Sequence, residues 1–323
     1  MIVVTGAAGF IGSCMTAWLQ AAGRASIVAV DDFSREDKKP NYQDKEGLLK
    51  IDRRQVFAFI SANANEVEAI IHLGARTDTV DPDPEIFLDL NINYSKELWT
   101  LCANYEIPFI YASSAATYGN GEHGFDDAAP VKDLGKLEPL NEYGRSKHIF
   151  DQWMYAQEDK PPYWVGLKFF NVYGPNEYHK GRMASVIFHA FHQISKTGKM
   201  KLFRSHKAAF EDGMQLRDFI YVKDVCKTIL KIIETPISSG IYNLGTGTAR
   251  TFLDLVSSTF HAMRMEPHIE YIDIPEDIRD NYQYYTEAEM TKLENQVGTL
   301  NFTSLEKGVS DYVRNYLIPT SYL

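Results

Sequence analysis

Cysteine is scarce in this chain: Cys14, Cys102 and Cys226 are the only three in 323 residues, and no two form a Cys-x-x-Cys pair. Neither a zinc site nor a disulfide framework is therefore indicated, no metal is expected, and buried free thiols are the simplest reading. Long hydrophobic runs are also missing; no stretch of about 18 apolar residues is present, which argues against a membrane-spanning helix. The apolar run Ile2-Val3-Val4 follows Met1 directly, without a basic leader, so a cytoplasmic address is expected. Positive charge is in deficit, with 33 basic against 43 acidic residues and a net charge of -10. That balance disfavours a broad nucleic-acid-binding face, so any phosphate site must be local. What is plentiful is apolar side chain, 45% of residues with 13% aromatic, enough to form a core at a length that favours a larger domain with a smaller lobe.

Short apolar runs alternate with longer segments of helical period, the pattern of parallel strands joined by crossover helices. Strands are expected at Ile2 to Thr5, Ser26 to Val30, Ala69 to Leu73, Phe109 to Ser113 and Trp164 to Phe170. Their continuous hydrophobicity predicts a sheet covered on both faces. Helices are expected at Gly12 to Ala22, Ile86 to Glu106 and Glu142 to Gln157, with a further one from Met183 to Lys196 in a second lobe. Arg217 to Ile232 and Gly240 to Gly247 read as a return to the sheet. The expected division is 1–170 plus 217–248 for a dinucleotide-binding domain, and 171–216 plus 249–323 for a substrate domain.

Gly6-Ala7-Ala8-Gly9-Phe10-Ile11-Gly12 follows the first strand and opens a helix. In such a turn the first glycine permits the sharp bend, the second removes a side chain from the path of a diphosphate, and the third lets helix and sheet approach. The helix N-terminus then offers free N–H groups to the anion. Asp31 and Asp32 end the second strand at the spacing expected of an acid that meets the adenosine ribose. Two carboxylates favour NAD; Arg35, Lys38, Lys39 and Arg53 are either a solvated charge run or partners for a 2′-phosphate.

Ser113-Ser114 close a strand, and Tyr143-Gly144-Arg145-Ser146-Lys147 lies on a helix. Residues four apart share a helix face, so Tyr143 and Lys147 can act on one ligand. Lys147, held as a cation, is expected to favour the Tyr143 phenolate; Tyr143 can then take a hydroxyl proton as hydride leaves the same carbon, with Ser114 holding that oxygen. With 19 tyrosines in the chain, about one Tyr-x-x-x-Lys pair is expected by chance, so its weight comes from its place after the glycine turn and the serine strand.

TGAAGFIG at Thr5 to Gly12, HLGA at His72 to Ala75, YASSAATYG at Tyr111 to Gly119, YGRSK at Tyr143 to Lys147, FFNVYGP at Phe169 to Pro175, RDFIYVKDV at Arg217 to Val225 and YNLGTG at Tyr242 to Gly247 together resemble the extended short-chain dehydrogenase/reductases. The resemblance implies an α/β protein, a Rossmann-type doubly wound parallel sheet with a smaller, interleaved α/β substrate-binding domain. Ala115-Ala116 stands where a sugar dehydratase of that superfamily would carry an Asp-Glu pair, which argues against water elimination.

NEYHKGRMASVIFH at Asn176 to His189, IPFIYASSAATYG at Ile107 to Gly119 and NYQYYTEAEMTKL at Asn281 to Leu293 narrow the resemblance to the ADP-glyceromanno-heptose 6-epimerase family. It implies oxidation of an ADP-heptose at C6 to a ketone and hydride return to the opposite face, in the making of lipopolysaccharide core heptose. By resemblance Tyr143 serves one orientation of the sugar and Lys180 the other; read from the residues alone, Lys180 is equally a surface or diphosphate-contacting cation. Cofactor contacts are implied at Gly6, Gly9, Phe10, Ile11, Gly12, Asp31, Asp32, Lys38, Arg53, Leu73, Gly74, Ala75, Asn91, Lys147, Val172 and Lys180. Around Arg76-Thr77-Asp78 the contacts are expected to be mainly through the backbone. Substrate contacts are implied at Asn171, Arg182, His189, Phe203, Ser205, Arg217 and Tyr282. NADP is the expected cofactor, with NAD open, and a homo-oligomer, a pentamer by resemblance, is expected. A UDP-sugar 4-epimerase shares the core set but not HKGRMAS; a dinucleotide-sensing regulator has no need of Ser114, Tyr143 and Lys147 together.

Overall fold

Successive residues of each central strand feed opposite cores. Ile2 and Val4 pack into one cluster and Val3 into another; Ile27 and Ala29 divide from Val28 and Val30 in the same way. That alternation is what a sheet covered on both faces requires. The computed structural model describes residues 1–128, 131–279 and 282–323. The first half of the chain runs β1 (Ile2–Thr5), α1 (Phe10–Ala21), β2 (Ile27–Asp31), β3 (Leu48–Asp52), α2 (Val56–Asn63), β4 (Ala69–His72), α3 (Pro84–Phe87), α4 (Tyr94–Asn104), β5 (Phe109–Ser114), α5 (Glu142–Tyr155) and β6 (Trp164–Phe169). It continues through β7 (Asn171–Tyr173), α6 (Val186–Thr197), β8 (Met200–Phe203), β9 (Leu216–Tyr221), α7 (Val222–Glu234), β10 (Gly240–Leu244), β11 (Ala249–Thr251), α8 (Phe252–Ala262), β12 (Ile269–Ile272), α9 (Glu276–Arg279), α10 (Thr291–Val297) and α11 (Leu305–Tyr312).

The seven-stranded sheet has the order β10-β6-β5-β4-β1-β2-β3, and every pair in it is parallel. Strand order reverses between β1 and β4, so the loops leaving their carboxyl ends diverge and open a crevice there. β7, β9 and β11 form a small second sheet, and β8 pairs with β12 in a third. Among the described residues no helix is long and apolar enough to cross a membrane.

Three elements differ from expectation. β3 is an edge strand with Leu49 half exposed; its Leu-Leu-Lys-Ile-Asp sequence lacks the unbroken apolar run that marks the central strands. The helix expected from Ile86 to Glu106 is interrupted by a π-helical stretch, Leu88–Asn93, between α3 and α4. Arg217 to Ile232 does not return to the main sheet as one unit. The place beside β6 is taken by β10, so β9 pairs with β7 and β11, and only α7 comes back, against α1.

Candidate active site

The crevice holds a cavity of about 410 Å³ lined by the glycine turn, the ends of β2 and β4, and residues 179, 180 and 183 of the loop after β7. Its floor is main chain. Gly6 has φ +69°, and a Cβ added there would lie 2.7 Å from the Gly74 nitrogen. A Cβ on Gly12 would lie 2.1 Å from the Gly6 carbonyl oxygen, so neither position accepts a side chain. No side chain caps the start of α1 and no acidic residue sits in its first turn, leaving its N–H groups and dipole for an anion. A glycine cradle closed to side chains and a bare helix start fit a dinucleotide diphosphate.

The two aspartates at the end of β2 do different work. Asp31 is buried, accepting from the Ala8 amide at 2.9 Å and from Lys38 Nζ at 2.9 Å. It braces the glycine turn. Asp32 is more open; hydrogen bonds from Ser34 hold its pKa below the usual carboxylate value, and Arg53 stands 3.9 Å away. Arg35, Lys38 and Arg53 line the cavity. Lys39 pairs with Glu36 at 3.2 Å and is not part of that lining. Phe10, Ile11, Leu73, Gly74 and Ala75 contribute to the wall, as do Arg76, Thr77 and Asp78.

Ser114 ends β5, and Tyr143 and Lys147 lie one turn apart on α5, whose N-terminus is capped by Asn141 accepting from the Gly144 amide at 2.8 Å. Burial raises the Tyr143 pKa, and a hydrogen bond with Ser114 opposes the rise. The two side chains are therefore together. Lys147 is buried, donates to the Ala112 carbonyl at 2.8 Å, and has its pKa pushed down to about 8 by burial, with Asp151 opposing. The expected lowering of the Tyr143 pKa is thus not present in the protein alone: burial outweighs the single hydrogen bond that favours the phenolate. Asn91, in the π-helical stretch, accepts from the Arg76 amide at 2.7 Å and donates to Ser146 Oγ at 2.8 Å. It joins the cavity wall to the helix of Tyr143 without lining the cavity; Val172, on β7, does not line it either.

Beneath these groups lies a buried ion pair that sequence reasoning passed over. Asp151, one turn beyond Lys147, meets Lys168 Nζ at 2.9 Å, and also accepts from Tyr111 at 2.9 Å and Ser113 at 2.7 Å. Lys168 donates in addition to Thr117. Three successive residues of β5, Tyr111, Ala112 and Ser113, are thereby bonded to α5. The acid at four residues after Lys147 was the available signal.

Lys180 lies in the cavity wall with its ammonium 5.8 Å from the Phe10 ring centroid. Burial lowers its pKa and Glu177 raises it. Asn41, also unanticipated, donates to the carbonyls of Ala8 at 3.0 Å and Asn176 at 3.1 Å and meets His179 Nδ1 at 3.2 Å. One amide thus ties the glycine turn to the Lys180 loop. Arg182 is turned toward Asp78, with contacts of 3.0 and 3.1 Å, and bridges the loops flanking the cavity.

Of the other residues expected to meet substrate, three come together. Arg217 is buried and donates to the Gln283 carbonyl. Its guanidinium sits 5.6 Å from the Tyr282 ring, and the Phe203 and Tyr282 rings meet edge-on at 5.8 Å. Burial lowers the Arg217 pKa, with Tyr282 opposing. Ser205 is engaged within its own loop, with its hydroxyl on the Lys207 carbonyl at 2.8 Å. Asn171 and His189 are exposed on β7 and α6, and neither joins that cluster. Asn281, which opens the third heptose-epimerase-like motif, lies outside the described residues.

Residues 2–245 match a family described as the NAD dependent epimerase/dehydratase family. The ADP-L-glycero-D-manno-heptose-6-epimerase of Fusobacterium nucleatum subsp. nucleatum is 46% identical over 325 residues, covering 98% of each chain. The enzyme of the same name from Nitratidesulfovibrio vulgaris is 46% identical over 322 residues, again 98% of each. The crystal structure of Helicobacter pylori ADP-L-glycero-D-manno-heptose-6-epimerase superposes with a TM-score of 0.80 at 27% identity, over 97% of this chain and 95% of that one.

Proposed function

The chain belongs to the NAD dependent epimerase/dehydratase family, and from that premise we propose that it inverts C6 of ADP-D-glycero-β-D-manno-heptose to the L-glycero form. The observation that carries this reading is the near full-length match to enzymes of that name. The hydrogen bond that joins Ser114, at the end of β5, to Tyr143 on α5 supports it, because the chemistry calls for these two groups on one oxygen, although neither lines the cavity.

A bound nicotinamide supplies reversible hydride acceptance. The chain's residues handle the proton. Tyr143 Oη takes the proton of the C6 hydroxyl, and Ser114 Oγ holds the same oxygen, so the alcohol becomes a ketone as hydride leaves. Lys147, anchored on the Ala112 carbonyl, keeps a positive charge near the phenolate. After the ketone turns over, Lys180 stands as the acid/base for the other orientation. Gly6, Gly9 and Gly12 hold the diphosphate, with Asp32 toward the adenosine ribose. Lys38 and Arg53, both in the cavity wall, favour a 2′-phosphate and hence NADP over NAD. Phe203, Arg217 and Tyr282, which meet one another, take the ADP-sugar, with Asn171, Arg182, His189 and Ser205 as the remaining substrate contacts. The division into a dinucleotide domain and an interleaved substrate domain follows the same logic, as do a cytoplasmic location, a place in lipopolysaccharide heptose synthesis and a homopentameric assembly.

Proton NMR of the purified protein with ADP-D-glycero-β-D-manno-heptose and no added cofactor tests this. Appearance of the L-glycero epimer is expected. Absence of conversion after NADP and NAD are both supplied would overturn the substrate assignment. Tyr143→Phe should lower the rate by about 1,000-fold while the cofactor stays bound; unchanged turnover would remove Tyr143 from its role.

A further inference from the structure

The loop that brings Lys180 to the cavity has little structure of its own. Its 3₁₀ turn, Tyr178–Met183, is broken at Gly181, with φ 53° and ψ -126°. Such a segment fixes a side chain only when other parts of the molecule hold it. Two supports come from nearby elements. Glu177 accepts from the Ser185 hydroxyl at 2.7 Å at the start of α6, and Asn41 reaches across from the cofactor side.

The third support comes from residues 321–323. The Leu323 amide donates to Asn176 Oδ1 at 2.8 Å, and Asn176 Nδ2 donates to the Leu323 carbonyl at 3.1 Å. Tyr178 Oη donates to the Ser321 carbonyl at 2.8 Å, and its ring meets that of Tyr322 edge-on at 4.9 Å. The strap is itself anchored, because the Ser321 amide donates to the Tyr316 carbonyl at 2.9 Å and its hydroxyl to the Asn315 carbonyl at 2.7 Å. Asn176 is fully buried with φ +74°, a conformation that persists only where the surroundings over-determine it. Its amide also donates to Ser13 Oγ at 2.9 Å, in the first turn of α1.

We propose that Ser321, Tyr322 and Leu323 are positioning residues for Lys180, acting through Asn176 and Tyr178 to hold its loop against the start of α1. None of the three lines the cavity. The inference rests on Lys180 being the second acid/base.

The test compares four forms carrying their resident cofactor: the full chain, a chain ending at Thr320, Lys180→Ala, and the two changes combined. Amide exchange across residues 176–184 should be about tenfold faster in the shortened chain, with residues 6–13 unchanged. Its kcat on ADP-D-glycero-β-D-manno-heptose should fall about 10- to 100-fold with KM within about twofold, the signature of a misplaced catalytic group. Shortening should cost nothing further in the Lys180→Ala background. An equal loss in both backgrounds, or unchanged exchange or kcat, overturns the proposal. Full activity in Lys180→Ala overturns instead the acid/base reading, and the positioning role with it. Should the shortened chain not fold, Tyr178→Phe removes the bond to Ser321 alone and carries the same test, with an expected loss of about threefold that vanishes in Lys180→Ala.

Discussion

At the glycine-rich end the site is made of main chain. The bend at Gly6, its approach to Gly74 and the bare first turn of α1 are set by β1 and β4, buried strands of the central sheet. The proposed substrate cluster of Phe203, Arg217 and Tyr282 is instead made of side chains, drawn from a short strand, a small second sheet and a loop. The first geometry follows from the fold, and side chains can only spoil it. The second exists because particular side chains supply it, so each can be exchanged at a graded cost.

The most severe way to probe that contrast is Gly12→Ala. A methyl 2.1 Å from the Gly6 oxygen must move the turn, and cofactor affinity should fall by about 100-fold or more, within the range of overpacking costs. Dinucleotide titration of the apo-protein measures this; an unaltered affinity would mean the turn yields. Arg217→Lys should act more mildly. Lysine loses the planar fork, so KM for the ADP-sugar should rise about tenfold with cofactor affinity unchanged, and steady-state kinetics separate the two. A change in both would make the ends one unit.

A further effect concerns acid stability, at the glycine-rich end. Burial holds His72 at a pKa of about 3, with the Lys147 charge adding to the effect, while burial and neighbouring cations hold His179 at about 4. An unfolded imidazole takes its proton near pH 6.5. A depressed folded pKa places the extra proton on the unfolded chain, so stability is full above pH 6.5 and is lost as pH falls toward 4. For His72 the slope approaches about 1.4 kcal/mol per pH unit at most. Thermal melts between pH 7 and 4 should show a falling Tm, flattened by His72→Gln.

This difference in construction also explains what the sequence disclosed. The glycine turn, Ser114 and the Tyr143–Lys147 pair depend on local spacing within one strand, turn or helix, and a spacing can be read. Five central strands were legible because burial on both faces leaves an unbroken apolar run. β3 was not, since an edge strand with a half-exposed Leu49 has no such run. Nor was the pairing of β9 outside the main sheet, which depends on β10 taking the place beside β6. Asn41 and Asp151 act across long separations, Asn41 on Asn176 and Asp151 on Tyr111. Nothing near them in sequence announces the partner. Asp31 was read as a ribose contact from spacing alone, whereas its carboxylate also braces Ala8 and pairs with Lys38.

The ion pair of Asp151 and Lys168 bears on how such a protein can change over time. Both groups are buried, Asp151 on α5 and Lys168 on β6. Replacing either alone strands a charge in the interior at a cost of about 3–5 kcal/mol, and an apolar pair is tolerated only if the Tyr111 and Ser113 hydroxyls, which donate to Asp151, change as well. Lineages are therefore expected to keep both residues or exchange both, whichever sugar nucleotide they act on. Among the described residues the proposed substrate cluster carries no such coupling to this pair, while these two positions inherit their partner's fate.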